Sequence, residues 1–309
     1  MHTILFSHAA CLNHDTGPYH PESAARLRAV TQALEAEEFM FLDRREAPRA
    51  EKSVIARVHP IGYVDWVLSQ IPAEGYGALD GDTHVSPGSG EAALRAAGAV
   101  VAAVDAVMSE QARNAFCAVR PPGHHAEPAR AMGFCLFNNI AIGAAHARAT
   151  HGLQRVAVVD FDVHHGNGTQ AMFENDPGLM YLSTHQAPLY PGTGLESEHG
   201  VAGNIVNAPL PALADGRPFH AAFEEVILPA LDRFRPELLL ISAGFDGHVA
   251  DPLAQLRLTE SDFAWVTRQL LELAGRHCQG RVVSALEGGY DLHALAASVR
   301  AHVLELMEG

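Results

Sequence analysis

Lysine is all but missing from this 309-residue chain: Lys52 is the only one among 21 basic residues, against 36 acidic ones, and the formal net charge is −15. Such a balance argues against non-specific contact with nucleic acid, whose phosphates need a basic face. It is compatible with a cationic substrate and identifies none. The four cysteines, Cys11, Cys117, Cys135 and Cys278, contain no Cys-x-x-Cys pair, so neither a disulfide framework nor a thiolate zinc site is expected. No apolar run reaches the roughly 18 residues a membrane span requires. The start, Met1-His-Thr-Ile-Leu-Phe-Ser-His8, lacks the basic residues and long apolar stretch of a signal peptide. These absences lead us to expect a soluble protein of the reducing cytoplasm. Internal repeats, low-complexity tracts and linker-like stretches are absent too. With 48% hydrophobic residues the chain can bury a large core, and one domain over 1–309 is the simplest organisation.

Histidine, by contrast, is plentiful at nineteen residues. Several fall in pairs or beside glycine where apolar runs end, at Gly123-His124-His125, Asp162-Val-His164-His165 and Phe245-Asp246-Gly-His248. Residues 156–159, all valine or alanine, read as a strand buried on both faces. Because side chains alternate along a strand, Asp160, Asp162 and His164 at spacing i, i+2, i+4 are expected in one row on one side. Unpaired carboxylates at the end of a buried strand are costly, so a cation, a histidine partner or water must compensate them. The alternative is that both aspartates are solvated or cap a helix beginning near Gly168. A catalytic zinc takes three ligands from His, Asp or Glu and leaves one position open, and Asp246 is the best third candidate. Two oxygens and one nitrogen suit zinc and also iron(II) or manganese. The His124-His125 pair offers a base that is neutral near pH 7, with Asp160 and Asn167 as orienting partners. Two glycines after a strand could aim the phenol of Tyr290 at the same pocket as an oxyanion donor.

Helices are expected over 23–38, 88–110, 139–149, 169–173, 219–234, 261–276 and 292–307. Strands are expected over 114–119, 155–160, 179–183, 238–242 and 282–286, after one short strand near the N-terminus. The alternation is that of an α/β protein, a parallel sheet with helices on both faces. Such sheets bind ligands beyond the carboxyl ends of their strands. Those ends carry His124-His125, Asp160/Asp162/His164, Ser183-Thr184-His185, Asp246 and Glu287-Gly-Gly-Tyr290.

Five blocks in this order, Pro121-Pro-Gly-His-His-Ala126, Asp160-Phe-Asp-Val-His-His-Gly-Asn-Gly-Thr-Gln170, Tyr190-Pro-Gly-Thr-Gly194, Gly244-Phe-Asp246 and Glu287-Gly-Gly-Tyr290, resemble the signature blocks of the histone deacetylase family in the arginase/deacetylase fold. The likeness runs from about His20 to Tyr290, and it is closer to the class II and bacterial deacetylase-like amidohydrolases than to class I. It implies a single-domain parallel sheet of about eight strands with helices on both faces. It also implies a zinc-dependent amidohydrolase that removes acetyl or other acyl groups from the side-chain amine of acyl-lysine.

Position by position, the resemblance puts zinc on Asp162, His164 and Asp246, with iron(II) as the other candidate. His125 would be general base and acid, His124 its electrostatic partner, with Asp160 on His124 and Asn167 on His125. Tyr290 would hold the oxyanion. Phe134 and Tyr190 would wall a tunnel for the acyl-lysine stem, with the Gly133 carbonyl near the scissile amide and Asp82 holding the substrate backbone. The family's structural potassium is expected near Asp160, Asp162, His164, Ser183 and Thr184. Partners would be acylated lysine peptides or proteins, or acetylated polyamines if the chain is an acetylpolyamine amidohydrolase. A catalytically silent acyl-lysine-binding protein is the alternative from another class. An arginase-like binuclear manganese enzyme is disfavoured, because Gly166 stands where that branch has a second bridging aspartate. The sequence leaves acyl-chain preference and oligomeric state open.

Overall fold

Short runs of Val, Ile, Leu and Ala lie flat as parallel strands when both of their faces can be covered. In the computed structural model, which describes residues 2–309, these runs and a few polar ones form ten strands in all. They are β1 (Thr3–Ser7), β2 (Asp43–Glu46), β3 (Gly77–Ala78), β4 (His84–Val85), β5 (Asn114–Cys117), β6 (Val156–Asp160), β7 (Leu179–Gln186), β8 (Ile205–Leu210), β9 (Leu238–Ala243) and β10 (Val282–Leu286). β3 and β4 make a small antiparallel hairpin, and the other eight form one parallel sheet in the order β2-β1-β5-β10-β9-β6-β7-β8. Val156, Val158 and Val159 of β6 are fully inaccessible, which stabilises the fold by about 1.5–3 kcal/mol for each such side chain.

Register decides where the site forms. Cys117, Ala285, Ser242, Asp160 and Ser183 pair laterally across five neighbouring strands. The loops that follow these residues therefore leave the sheet at one level, and they carry the histidine pair, Asp162, His164, Asp246 and Tyr290. Helices cover both faces. Ser89–Met108 packs on Asn139–His151, while Leu292–Glu308 packs on Glu260–His277 and Ala24–Ala33. Asn138 caps one of these helices by accepting from the Ala141 amide, and Gly152 closes it in the left-handed conformation.

Where the structure departs from expectation, the reason is physical. β2 is Asp43-Arg-Arg-Glu46, four charged residues with no apolar period, alternating half-buried and exposed at the sheet edge. Charges there discourage pairing with another chain. β8 also lies outside the expected strands, because Asn207 and Pro209 break its apolar pattern; an edge strand tolerates that proline. β7 continues three residues past Ser183, since Thr184, His185 and Gln186 are polar and yet buried. The helix expected over 23–38 ends at Ala33. The one expected over 219–234 starts at Gly216 and contains a π turn over Phe223–Ile227. Helices Lys52–Ile55 and Ile61–Ser69 were not expected.

One buried charge cluster holds the entry loop to the sheet. Glu22, Arg26 and Arg120 are all 0% exposed. Arg120 donates to both Glu22 oxygens, with its Nη2 at 2.7 Å from Oε2, and Arg26 Nη1 donates to Oε1 at 2.9 Å. The surplus positive charge is absorbed by main-chain carbonyls, those of Cys11 and His14 on Arg120 and those of Glu287 and Gly289 on Arg26. Burial alone would raise the Glu22 carboxyl, but Arg120 and then Arg26 override it and hold it at about 2 against an ordinary 4.5. A depressed carboxylate contributes its stability above the unfolded value and loses it as pH falls through the folded one.

Glu22→Gln leaves two buried guanidiniums without their anion, and chemical denaturation at neutral pH should show a loss of about 3–5 kcal/mol. The gap between wild type and variant should close as pH falls from 4.5 toward 2, where Glu22 itself becomes neutral. A gap that persists unchanged at pH 2 would show that shape, not charge, is what the variant disturbs.

Candidate active site

β6 ends at Asp160, and the chain then leaves the sheet. The strand alternation expected to align Asp160 with Asp162 and His164 therefore stops at its first member, and the single row is not formed. Asp160 instead turns to a different partner set: its Oδ2 accepts from His124 Nδ1 at 2.9 Å and from the Tyr181 hydroxyl at 3.0 Å. Asp162 and His164 converge with Asp246, their donor atoms all within 4.8 Å of one another. His164 Nδ1 lies 3.2 Å from Asp162 Oδ1 and 3.0 Å from Asp246 Oδ2.

This donor set fits a cation. Asp162 and Asp246 are 1% exposed, so two carboxylates share one imidazole out of reach of water. Burial alone would lower the His164 pKa, but hydrogen bonds to Asp162 and Asp246 push it up to about 10. Only a positive charge satisfies the group, and two hard oxygens with one nitrogen suit a divalent transition metal. Three amides add to the aspartates' bonding, Gly288 N–H on Asp162 Oδ2 at 2.8 Å, His164 N–H on Asp162 Oδ1 at 2.9 Å and Val163 N–H on Asp246 Oδ1 at 2.9 Å. Glycine is required for the first of these: a Cβ on residue 288 would stand 2.2 Å from Asp246 Oδ2.

A second convergent group, Asp105, His146 and His151, lies on the outer helices and was not picked out from sequence. Arg57 Nη1 already sits 2.7 Å from His146 Nδ1 and Asp105 is exposed, so this cluster reads as a link between helices.

His124 and His125 have adjacent rings, 4.0 Å apart, and opposite electrostatics. Burial lowers both, but for His124 the carboxylates of Asp160 and Asp162 override it and raise the pKa well above 6.5. His125 stays well below, through burial and then the positive charge of His124 and His164. Its Nδ1 is 2.8 Å from Asn167 Oδ1. One cationic and one neutral imidazole thus stand side by side.

Glu287 shapes this turn, and the sequence reading gave it no role. Its carboxylate accepts from the amides of Gly123 at 2.7 Å and His124 at 3.2 Å, and from Ser242 Oγ at 3.1 Å. Burial raises it to about 7, against the opposing pull of His124. An acid directly after the strand Val282-Val-Ser-Ala-Leu286 was the available signal.

These groups open on a cavity of about 200 Å³. His125, His164 and Tyr290 lie along it, Phe134 and Tyr190 wall it, and Asp82 joins them. A larger groove of about 640 Å³ beside Arg57 and Met172 has no comparable convergence of donor groups. Gly133 and Phe134 both have positive φ, +56° and +70°, an arrangement that costs of order 1–3 kcal/mol at a non-glycine residue. Asp82 Oδ1 and Thr83 Oγ1 hold the turn by accepting from the amides of Gly133 and Phe134, each at 3.2 Å. A Cβ at 133 would meet the His125 ring at 2.4 Å. The Tyr290 amide donates to Asp251 at 2.7 Å, and the Arg26 guanidinium lies 4.9 Å from the Tyr290 ring centre. Of the residues expected around potassium, Ser183 bonds to His185 at 2.9 Å, while Thr184 Oγ1 is buried without a hydrogen-bond partner.

The chain that carries this site is similar to several known proteins. Histone deacetylase 14, chloroplastic, of Arabidopsis thaliana is 40% identical over 316 residues, covering 96% of this chain and 74% of that one. Polyamine deacetylase HDAC10 of Homo sapiens is 41% identical over 278 residues, 85% of this chain and 41% of that longer protein. The crystal structure of the HDA15 HD domain covers 99% of this chain and 88% of its own, with a TM-score of 0.94 at 34% identity. The sequence model of the histone deacetylase domain matches residues 20–306, from the loop before Glu22 into the last helix. On that match, the chain belongs to the histone deacetylase family of hydrolases.

Proposed function

We propose that this chain, taken as one catalytic domain over 1–309, is a zinc-dependent amidohydrolase that removes acetyl or another acyl group from the side-chain amine of lysine in peptides or proteins. The observation supporting this most strongly is that a neutral imidazole and a three-donor cation site meet along one narrow, aromatic-walled cavity. Asp162, His164 and Asp246 would hold the zinc, or iron(II), which when bound supplies Lewis acidity to a water molecule and to the amide carbonyl.

The chain's own groups account for the rest. Phe134 and Tyr190 exclude water from the lysine stem, and the strained Gly133 turn turns its carbonyl toward the amide N–H. His125 takes a proton from the attacking water as its oxygen bonds to the carbonyl carbon. His124, cationic between Asp160 and Asp162, keeps the neighbouring His125 neutral until then. The Tyr290 hydroxyl donates to the oxygen that becomes negative in the tetrahedral state. His125 then returns the proton to the nitrogen, the C–N bond breaks, and acetate and a free amine leave. A potassium ion near Asp160 and Ser183 would give the stranded Thr184 hydroxyl a partner.

One observation favours acetylated polyamines as a second substrate class: Asp82 lines the cavity, with the Asp80 carboxylate 3.0 Å from its amide, and a further ammonium group would find negative charge there. A reducing, cytoplasm-like compartment suits four buried cysteines that are all unpaired. No described helix is long and apolar enough to cross a membrane. Purified, metal-loaded protein assayed on acylated lysine peptides and acetylated polyamines separates the two substrate classes, and no turnover of either would return the chain to the silent-binder reading.

Elemental analysis after dialysis should find one transition-metal ion per chain in the wild type and none in Asp246→Ala. Gly288→Ala should also lose occupancy, although it removes no ligand, because the added methyl would meet Asp246 Oδ2 at 2.2 Å. Two tightly held manganese ions per chain would overturn the assignment.

Tyr290→Phe keeps the ring and deletes the hydroxyl. If that hydroxyl acts on the oxyanion, kcat should fall by roughly 10²–10³ with metal content unchanged and KM little altered. A near wild-type kcat with a small loss of Tm would instead make Tyr290 a packing residue.

A further inference from the structure

We propose that Glu127 is a positioning residue that sets the tautomer of His125 through Asn167; the kinetic consequence rests on the amidohydrolase reading, whereas the tautomer itself does not. Asn167 Nδ2 lies 2.8 Å from Glu127 Oε1 and 3.3 Å from Met132 Sδ, while its Oδ1 lies 2.8 Å from His125 Nδ1. An asparagine amide can turn end over end with little steric change, yet its two ends have opposite hydrogen-bonding character. A carboxylate and a thioether only accept. Both therefore face Nδ2 and take its two hydrogens, which leaves Oδ1 for His125. Since Oδ1 can only accept, His125 Nδ1 must carry the proton, and Nε2 keeps the lone pair a base requires.

His124 needs no such device, because Asp160 accepts whichever way its carboxylate turns. Asn167 is neutral and two-ended, so its direction has to be decided by something beyond it. Glu127 is held for this task by a tight turn, its amide donating to the Arg130 carbonyl at 2.9 Å. It is half-buried, on a cavity of about 430 Å³ that it shares with Asn167 and Gln170. Without Glu127, Asn167 can present Nδ2 to His125, whose proton then moves to Nε2 and blocks the base. Enforcing the wrong histidine tautomer in a serine-protease triad costs about 10⁴ in kcat. Merely permitting it here should cost less, in the roughly 10–100-fold range of partners that orient a site from behind.

The test is a double-mutant cycle on the metal-loaded protein, with histidine ring ¹⁵N NMR alongside. Glu127→Ala should lower kcat by roughly 10–100-fold with KM and metal content nearly unchanged, and Glu127→Gln, whose amide can accept from Nδ2 but is itself two-ended, should recover only part of the activity. In an Asn167→Asp background both ends of residue 167 accept and no orienting is needed. Glu127 then faces a second carboxylate, so Glu127→Ala should raise kcat. The His125 signals, assigned by their loss in His125→Ala, should show a proton on Nδ1 in wild type and a shift toward Nε2 in Glu127→Ala. Glu127→Leu, similar in size and without an acceptor, replaces Glu127→Ala if that variant does not fold. Equal losses in both backgrounds, or an unchanged His125 tautomer, would overturn the proposal. The NMR arm decides it even if no acylated amide proves to be a substrate.

Discussion

Two carboxylates that share one imidazole, out of reach of water, constrain most of what surrounds them. Asp162 and Asp246 come from loops that follow different strands, and both point at His164 Nδ1. Like charges at such range persist only beside a cation and with their remaining lone pairs bonded. The backbone supplies those bonds at Val163, His164 and Gly288, and the last needs a residue without a side chain. All of this presupposes register. β10 is aligned with β9 from Val282 to Leu286, and a slip of one residue would move Gly288 by about 3.3 Å and turn its neighbours to the opposite face. The buried apolar strands are thus what makes the polar site precise enough to exist.

Those strands were legible because nothing in them is ambiguous: Val156-Ala-Val-Val159 and Leu238-Leu-Leu-Ile241 have no other low-energy use than the middle of a covered sheet. The candidate ligand residues were legible as types, since histidines and aspartates crowd the ends of those runs. What they form was less so. Spacing alone assigned Asp160 to the same row as Asp162, and only the departure of the chain from the sheet separates them. Three acids escaped a functional reading altogether: Glu22, Glu127 and Glu287. Each takes its meaning from a partner far along the chain, Arg120 at 98 residues from Glu22 and Gly123 at 164 from Glu287. Glu22 and Glu127 have no local pattern to betray so distant a partner and in sequence look like surface residues; only Glu287, directly after a strand, carried a signal. β2 escaped for the converse reason, since its backbone pairs while its side chains carry only charge.

The two buried charge systems are not independent. Arg26, which compensates Glu22, also donates to the carbonyls of Glu287 and Gly289 and lies against the Tyr290 ring. The turn that carries Tyr290 is therefore anchored from both sides, by Arg26 and by Asp251. Two flexible glycines would otherwise leave the phenol free to wander. This gives the first turn of the helix Ala24–Ala33, remote in sequence from His124-His125 and Tyr290, a direct mechanical hold on the group proposed to meet the oxyanion.

The division between His124 and His125 follows from what each imidazole is offered. His124 meets a carboxylate and has a second one 3.9 Å from its Nε2, so its protonated form is strongly favoured despite burial. His125 meets a neutral amide, and its nearest charges are the imidazoles of His124 and His164. A carboxylate at position 167 would draw a second proton into the pair and place two cations 4.0 Å apart, each weakening the other. The amide avoids that outcome and at the same time introduces a direction that a carboxylate lacks. The neutrality of Asn167 keeps a neutral imidazole, the proposed base, beside a cation, and its asymmetry is why a further residue, Glu127, has to stand behind it.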